Sequence, residues 1–469
     1  MFRVFQHRTS GTHFLELLAD GLLCFIAALL SAMTLSQASG DGVVLASMAT
    51  PSVLLSALAF ALVMALMYSF VGLYRHRNLG IVPLALRVIF VFAVGGYITY
   101  LSIKFVDYDG YASRLVGYSL AYLLAGLAVY RGIAWVVRRA IGTRRVLIVG
   151  SGVDAQQVCA NLRSADQWVG YEVVGFFPST ADATAALSTS GAPVFSDQSS
   201  LRDLVRSHRV NEIIVAVREQ RGGGVPMDQL LECRIAGVPI LDLAGFYERT
   251  KAEVPVDSLK ASWLVYGDGF VQGRVRELTK RVFDIVSSAI LLALASPLML
   301  LTVLLIKLDS RGPVLYRQER VGLGGKSFQC IKFRSMRTDA EKDGVARWAT
   351  KNDNRITRVG AFMRKTRVDE LPQLLSVLRG EMSMVGPRPE RPSFVAQLRE
   401  QIPYYDLRHT VKPGLTGWAQ VRYSYGASLE DARRKHQFDL YYVKNNSLLL
   451  DLHVLLETVS VVLFREGAH

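Results

Sequence analysis

Val282-Phe-Asp-Ile-Val-Ser-Ser-Ala-Ile-Leu-Leu-Ala-Leu-Ala-Ser296-Pro297-Leu-Met-Leu-Leu-Thr-Val-Leu-Leu-Ile306 is the stretch on which the architecture of the chain turns. A bilayer core of about 30 Å is crossed by roughly 20 apolar residues in a helix, so the segment is long and apolar enough to span. Its centre argues against a plain crossing. Pro297 removes one i to i−4 hydrogen bond and crowds the preceding turn, while the hydroxyl of Ser296 can take up a freed backbone group. A helix-turn or a sharp kink at mid-depth is therefore expected. Both flanks are basic, Lys280-Arg281 before and Lys307 after. A re-entrant hairpin over 282–306, entering and leaving on one face, satisfies the broken centre and the basic flanks together. A simple kinked spanning helix is the competing reading, and the one the segment would receive in isolation.

Upstream lie four further apolar stretches, Phe14 to Leu35, Ser52 to Tyr74, Ile81 to Lys104 and Leu115 to Val137. Arginines 3, 8, 75, 77, 138, 139, 144 and 145 fall at one set of ends, while the loops Gln37 to Ala46 and Asp107 to Ala112 carry no Lys or Arg. The positive-inside rule puts both ends of a four-span block, residues 1–142, in the cytoplasm, as in a multi-pass membrane protein. The first apolar stretch is long and three more follow it, so no cleavable signal peptide is read. The 469 residues are 51% hydrophobic and carry a net charge of +14, which suits anionic headgroups, nucleotides or phosphates. Nucleic acid as a partner is disfavoured by the spans. Four scattered cysteines, 24, 159, 233 and 330, form neither a zinc site nor a disulfide framework.

From residue 143 to 250 the texture is that of a Rossmann-like α/β domain. Strands are expected at Val146 to Val149, Tyr171 to Phe177, Glu212 to Val217 and Val238 to Leu241, with a helix running to Leu162. Gly150-Ser-Gly152-Val-Asp-Ala155 has the Gly-x-Gly-x-x-Ala spacing of a pyrophosphate turn, but no acidic ribose ligand follows at the expected distance. A tight strand-to-helix turn without cofactor explains Gly150 and Gly152 equally well. Residues 251–275 read as a linker.

Beyond the broken apolar segment the chain is rich in arginine and lysine, including Lys332 and Arg334, and then reaches Arg367-Val-Asp369-Glu370-Leu-Pro372-Gln373. Pro372 is suited to a first helical turn, so a helix is expected over Gln373 to Leu378, stopped by Gly380. The two carboxylates then sit at a helix N-terminus, a position that favours anions and offers N–H groups to phosphate. Adjacent helical residues point about 100° apart, so Asp369 and Glu370 are suited to separate tasks, one attacking and the other holding a metal. Phosphoryl transfer needs charge neutralisation above all, for which Mg2+ and arginines are the usual means. Gly386-Pro387-Arg388-Pro389-Glu390 is a rigid turn that would fix the direction of Arg388. Taken alone, each motif has a mundane reading as a helix cap or a proline-rich loop.

Together these motifs resemble the bacterial sugar transferases, or monotopic phosphoglycosyl transferases, from about residue 276 to the end. The resemblance rests on Lys280-Arg281-Val-Phe283-Asp284, Ser296-Pro297, Lys332-Phe333-Arg334-Ser335-Met336, Asp369-Glu370-Leu371-Pro372-Gln373, Gly386-Pro387-Arg388-Pro389-Glu390, Lys412-Pro413-Gly414-Leu415-Thr416-Gly417-Trp418 and Phe438-Asp439-Leu440-Tyr441-Tyr442. The spans and the α/β domain resemble the large members that prime exopolysaccharide or O-antigen assembly. The resemblance implies a mostly α catalytic domain, 276–469, that takes a sugar-1-phosphate from a UDP-sugar to undecaprenyl phosphate. Asp369 would be the nucleophile and Glu370 the Mg2+ ligand. Arg388 would hold donor phosphates, with Lys332, Arg334, Arg367 and Gln373 as further substrate contacts, while Lys280, Arg281 and Asp284 would organise the hairpin. It also implies a homodimer.

Two other readings compete. A membrane-bound nucleotide-sugar dehydratase or epimerase would need a second dinucleotide fold and a Tyr-x-x-x-Lys pair, matched only by Tyr100/Lys104 and Tyr247/Lys251. A non-catalytic scaffold of a glycan pathway would tolerate Asp369→Asn. The C-terminal apolar run, Ser447 to Phe464, holds Asp451, His453 and Glu457. Each charge costs about 2.5–3.5 kcal/mol at mid-bilayer, so an interfacial or core helix is expected there.

Overall fold

Long apolar runs have no polar side chains to compete for backbone hydrogen bonds, and they fold here as long helices. The computed structural model describes residues 8–38, 51–71, 81–106, 111–164, 170–179, 191–196, 199–217, 225–259, 264, 269–270, 273–338, 340, 355–423, 426 and 428–464. The chain forms two units, Met1–Lys251 and Ala252–His469.

The first unit opens with α1 (Arg8–Ala38), α2 (Pro51–Phe70), α3 (Ile81–Val106) and α4 (Tyr111–Ile141). All four contain windows long and apolar enough to cross a membrane, Ala19–Gln37, Pro51–Tyr68, Ala85–Phe105 and Ala112–Ile133. Small residues set their spacing. A Cβ on Gly95 would lie 2.8 Å from the Met64 sulfur on α2, and one on Gly96 would lie 2.9 Å from Leu120 Cδ1 on α4, so α3 is packed against both neighbours. The Ser31 hydroxyl donates to Leu115 O at 2.8 Å, a polar tie between α1 and α4.

The α/β part of this unit follows as β1 (Arg144–Val149), α5 (Val153–Ser164), β2 (Tyr171–Phe177), α6 (Leu201–Ser207), β3 (Glu212–Val215), α7 (Met227–Ile235), β4 (Ile240–Asp242) and α8 (Leu243–Lys251). The sheet is parallel with order β2-β1-β3-β4. Its strands are hydrophobic without alternation because helices cover both faces, Leu147 and Ile213 packing to one side and Ile148 and Ile214 to the other. Gly150 has φ +118°, and a Cβ there would meet Ala216 O at 3.0 Å. The turn between β1 and α5 therefore needs glycine for its own geometry.

The second unit starts inside the stretch read as a linker. Val254 and Val256 are buried in its core, and Val254 N–H donates to Gln437 O at 3.0 Å. Then come α9 (Arg274–Asp309), the antiparallel hairpin β5 (Leu315–Val321) and β6 (Ser327–Phe333), α10 (Arg358–Thr366), α11 (Gln373–Arg379), β7 (Ser383–Val385), α12 (Pro392–Gln401), β8 (Gly414–Thr416), α13 (Trp418–Arg422), α14 (Leu429–Asn445) and α15 (Leu448–Phe464). β7 and β8 pair in parallel. Leu374, Val377, Met382, Trp418, Leu440, Tyr441 and Val454 form the core.

The apolar segment that opened the sequence reading is one helix, α9, and not two helices joined by a turn. Pro297 lies inside it, and the Ser296 hydroxyl donates to Ala293 O at 2.8 Å, the carbonyl that a residue with an N–H at 297 would have bonded. The burial of α9 is inverted relative to a helix in water. Asp284, Ser288, Thr302 and Ile306 are buried, whereas Leu294, Leu300, Leu301, Leu304 and Leu308 are exposed. By length and composition α9 joins α1 to α4 as a fifth helix able to enter a bilayer. Both its ends are fastened to the same unit. Near the start, Arg281 donates to Val377 O and Leu378 O at 2.6 Å each, and Asp284 accepts from Met384 N–H at 3.1 Å. Near the end, Ile306 packs with Phe333, Met363 and Val368, and Asp309 accepts from Val359 N–H at 3.2 Å.

α15 lies against the core. Leu450 and Val454 are buried, the Tyr442 hydroxyl donates to Asp451 at 2.7 Å, and Glu457 accepts from Arg422 at 3.0 Å and pairs with His453 at 3.1 Å.

Candidate active site

The site is assembled from three turns that glycine, proline and one strained residue make possible. α10 ends at Thr366, and Arg367 takes a left-handed conformation, φ 58°, that reverses the chain into a 3-10 turn over Val368–Glu370. Pro372 caps α11, which runs to Arg379 and stops at Gly380 with φ 86°. The acidic pair thus sits in the turn before α11, and the Glu370 and Leu371 N–H groups are already spent on Arg367 O and Val368 O. The second turn is Gly386-Pro-Arg-Pro-Glu390, crossed against Lys412-Pro-Gly414. A Cβ on Gly386 would come within 2.3 Å of Lys412 O, so only glycine lets the two loops touch. The third is the β5–β6 hairpin, which brings Lys332 in near the end of β6.

These turns converge on Glu370. Its Oε1 accepts from Lys332 Nζ at 2.7 Å and from Arg388 Nη2 at 2.9 Å, with Arg367 Nη1 at 3.9 Å. Asp369, its neighbour, is equally buried, yet its Oδ1 has no hydrogen-bond partner among the described residues. Their proton affinities diverge accordingly. Burial, and next the charge of Glu370, push the Asp369 carboxyl up, against the pull of Lys332, Arg367 and Arg364. Burial acts on Glu370 in the same sense, but Arg388, Lys332 and Arg367 outweigh it and hold that carboxyl well below the ordinary range. Two adjacent carboxylates in opposed environments are equipped for two roles.

Of the residues singled out in the sequence, Asp369, Glu370, Lys332, Arg367 and Arg388 come together. Gln373 is buried one turn further on, and its Nε2 has no partner among the described residues. Arg334 is placed elsewhere. Its guanidinium donates to Ser310 O, Ser310 Oγ and Arg311 O at 2.7–2.9 Å, so it fastens the end of α9. Lys280, Arg281 and Asp284 are at the start of α9, Ser296 and Pro297 at its middle, and Gly150 and Gly152 belong to the other unit.

A family model described as bacterial sugar transferase matches residues 275–465, and one described as CoA-binding domain matches residues 52–223. The "UDP-N-acetylgalactosamine-undecaprenyl-phosphate N-acetylgalactosaminephosphotransferase" of Aeromonas hydrophila is 40% identical over 260 residues, 55% of this chain and 60% of that one. The "UDP-glucose:undecaprenyl-phosphate glucose-1-phosphate transferase" of Xanthomonas campestris pv. campestris is 33% identical over 362 residues, 75% of this chain and 73% of that one. Its namesake from Escherichia coli (strain K12) is 34% identical over 351 residues, 71% and 72% of the two chains. The chain belongs to the bacterial sugar transferases.

Every side chain around Glu370 in this sugar transferase falls inside the matched range 275–465. The Tyr-x-x-x-Lys pairs weighed for a dehydratase do not form a site of that kind. Tyr247 is buried in the α/β core with the Lys251 ammonium 5.5 Å above its ring, and Tyr100 and Lys104 lie within α3. What the sequence did not flag in the transferase is Arg408. It is buried, donates to Arg388 O at 2.8 Å and to Tyr405, and pairs with Asp439 at 2.9 Å. A lone arginine in an irregular stretch carries no spacing signal that would single it out.

Proposed function

We propose that this transferase moves a sugar-1-phosphate from a UDP-sugar to undecaprenyl phosphate at the cytoplasmic face of a bacterial inner membrane, priming a surface glycan. The observation that carries this is the asymmetry of the acidic pair, with Glu370 Oε1 ringed by cations and Asp369 buried with an uncommitted oxygen. The Asp369 carboxylate attacks the phosphorus that bears the sugar. The bond from that phosphorus to the bridging oxygen breaks, and UMP leaves with the electron pair. An oxygen of undecaprenyl phosphate then attacks the same phosphorus and the Asp369 carboxylate departs, so a soluble donor and a lipid acceptor use one site in turn.

Arg388, Lys332 and Arg367 supply positive charge where the diphosphate must lie. Among the described residues no three acidic, histidine or cysteine side chains cluster. Mg2+ suits such a place because it is commonly held by one or two carboxylates with substrate phosphates and waters. Glu370, kept ionised, would be its protein ligand, and the ion would neutralise donor charge.

The re-entrant reading of α9 is supported by its two ends, each bonded to the unit that carries Asp369. A crossing would have to separate Arg281, on Val377 and Leu378, from Asp309, on Val359. The relatives' names give N-acetylgalactosamine and glucose, so the family alone leaves the sugar open. UMP release from a panel of UDP-sugars, with undecaprenyl phosphate and Mg2+, tests the whole reading. Release that depends on the lipid and is lost in Asp369→Asn supports it. No UMP from any donor, in folded protein, would count against it.

A further inference from the structure

Residues 386–390 are anchored by their backbone at every position. Gly386 N–H donates to Thr416 O at 2.9 Å, and Pro387 O accepts from Gly414 N–H at 2.9 Å. Arg388 O accepts from Arg408 Nη2 at 2.8 Å, Pro389 O from Arg320 Nη1 at 2.9 Å, and Glu390 O from Val321 N–H at 2.9 Å. Pro387 and Pro389 have no N–H to give, so those two residues can be held only through their carbonyls. Two of the loop's carbonyls, at 388 and 389, are held by arginine side chains. A buried guanidinium is an expensive way to satisfy a carbonyl unless its charge is compensated, and Asp439 at 2.9 Å, itself buried, does that for Arg408. The Arg388 side chain itself donates to Glu370 at 2.9 Å.

Resting on the reading that Arg388 serves phosphoryl transfer, we infer that Arg408, neutralised by Asp439, is a positioning residue that fixes Arg388 through its carbonyl oxygen. Its fork reaches the Arg388 carbonyl, the Asp439 carboxylate and the Tyr405 hydroxyl together, which a lysine with one ammonium cannot reproduce. Arg408→Lys therefore keeps the buried charge and the ion pair but loosens Arg388.

Residues that act as a unit are non-additive, and this separates positioning from mere support of the fold. UMP release by the full-length protein is measured with the donor that the wild type uses, for Arg408→Lys, Arg388→Lys and the double variant. Arg408→Lys is expected to lower kcat about tenfold with a smaller change in KM, and to add less than about twofold to the loss in Arg388→Lys. Equal fold-losses in both backgrounds would overturn the proposal, because that is what general destabilisation gives. An Arg388→Lys enzyme as fast as wild type would instead overturn the underlying role of Arg388, and the inference with it. If Arg408→Lys shows no cooperative thermal unfolding, Asp439→Asn replaces it in the same cycle with the same criterion.

Discussion

The Lys280 ammonium lies 2.8 Å from the Asp451 carboxylate and 3.1 Å from that of Asp284, joining the start of α9 to α15. Both carboxylates are buried, and Asp284 also accepts from Ser383 Oγ and Met384 N–H. Removing one partner of a buried pair leaves uncompensated charge, which costs about 3–5 kcal/mol. Lys280→Met is expected to destabilise the protein by that order, and Lys280→Met/Asp451→Asn to recover a substantial part of it. Thermal unfolding of the three proteins in one detergent decides this. A double variant no more stable than the single one would show that the pair is not what Lys280 contributes.

Asp369 illustrates a site that works against its own fold. Its ionised form is disfavoured by burial and by Glu370, so the folded protein binds a proton there more readily than the unfolded chain does. Asp369→Asn removes that charge at nearly constant volume. It is expected to raise stability by on the order of 1 kcal/mol, roughly 2–4 °C in Tm. UMP release should fall by at least ~10³-fold, the loss expected for a nucleophile. A variant that loses activity and stability together would contradict this account of the environment.

The same divergence sets two pH dependences. For Asp369 to attack it must be deprotonated, so kcat is expected to rise with pH through a value above the ordinary aspartate range of about 3.9. Glu370 acts on stability in the opposite direction. Its folded value lies below its unfolded one of about 4.3, so the unfolded state takes up a proton first as pH falls. The contribution of Glu370 is complete above about 4.3 and is lost as pH drops through its depressed folded value. Glu370→Gln should therefore flatten the acid side of the unfolding profile while leaving the neutral side parallel to wild type. Equal slopes for both proteins below pH ~4.3 would contradict the assignment.

Local pattern made most of this architecture legible. The strand expected at Tyr171 to Phe177 is β2, and the Gly380 stop ends α11 one residue beyond the expected Leu378. The Lys332-Phe333-Arg334-Ser335-Met336 motif sets Arg334 beside Lys332 as a substrate contact. β6 ends at Phe333, however, and Arg334 turns away to Ser310. Val254 and Val256 read as linker because only a single 3-10 turn, Val256–Ser258, forms there; the backbone of Val254 is held by α14, far along the chain. Arg408 is invisible for the same reason, and Asp439 shows only as part of the Phe438-to-Tyr442 motif, without its partner. Charge compensation in an interior is a tertiary fact, and composition reads a lone arginine as surface.

The two ends of α9 give the last prediction. If the helix enters and leaves on one face, residues before and after it share a side of the membrane; if it crosses, they do not. Arg274, its first residue, and Arg311, just beyond its end, are exposed, while the four native cysteines, 24, 159, 233 and 330, are buried. Arg274→Cys and Arg311→Cys can therefore be labelled with little background by a membrane-impermeant maleimide, in intact cells and in inverted membrane vesicles. Both positions are expected to label in inverted vesicles and to be protected in cells. Pro297→Ala restores the N–H that Ala293 O lacks and removes the crowding of the preceding turn, favouring a straighter helix by up to the ~3 kcal/mol that an interior proline costs. In that background Arg311→Cys is expected to lose part of its labelling in inverted vesicles. Labelling of Arg311→Cys in intact cells, with the wild-type proline in place, would mean that α9 crosses, and would put the acidic pair on the side where no UDP-sugar is made.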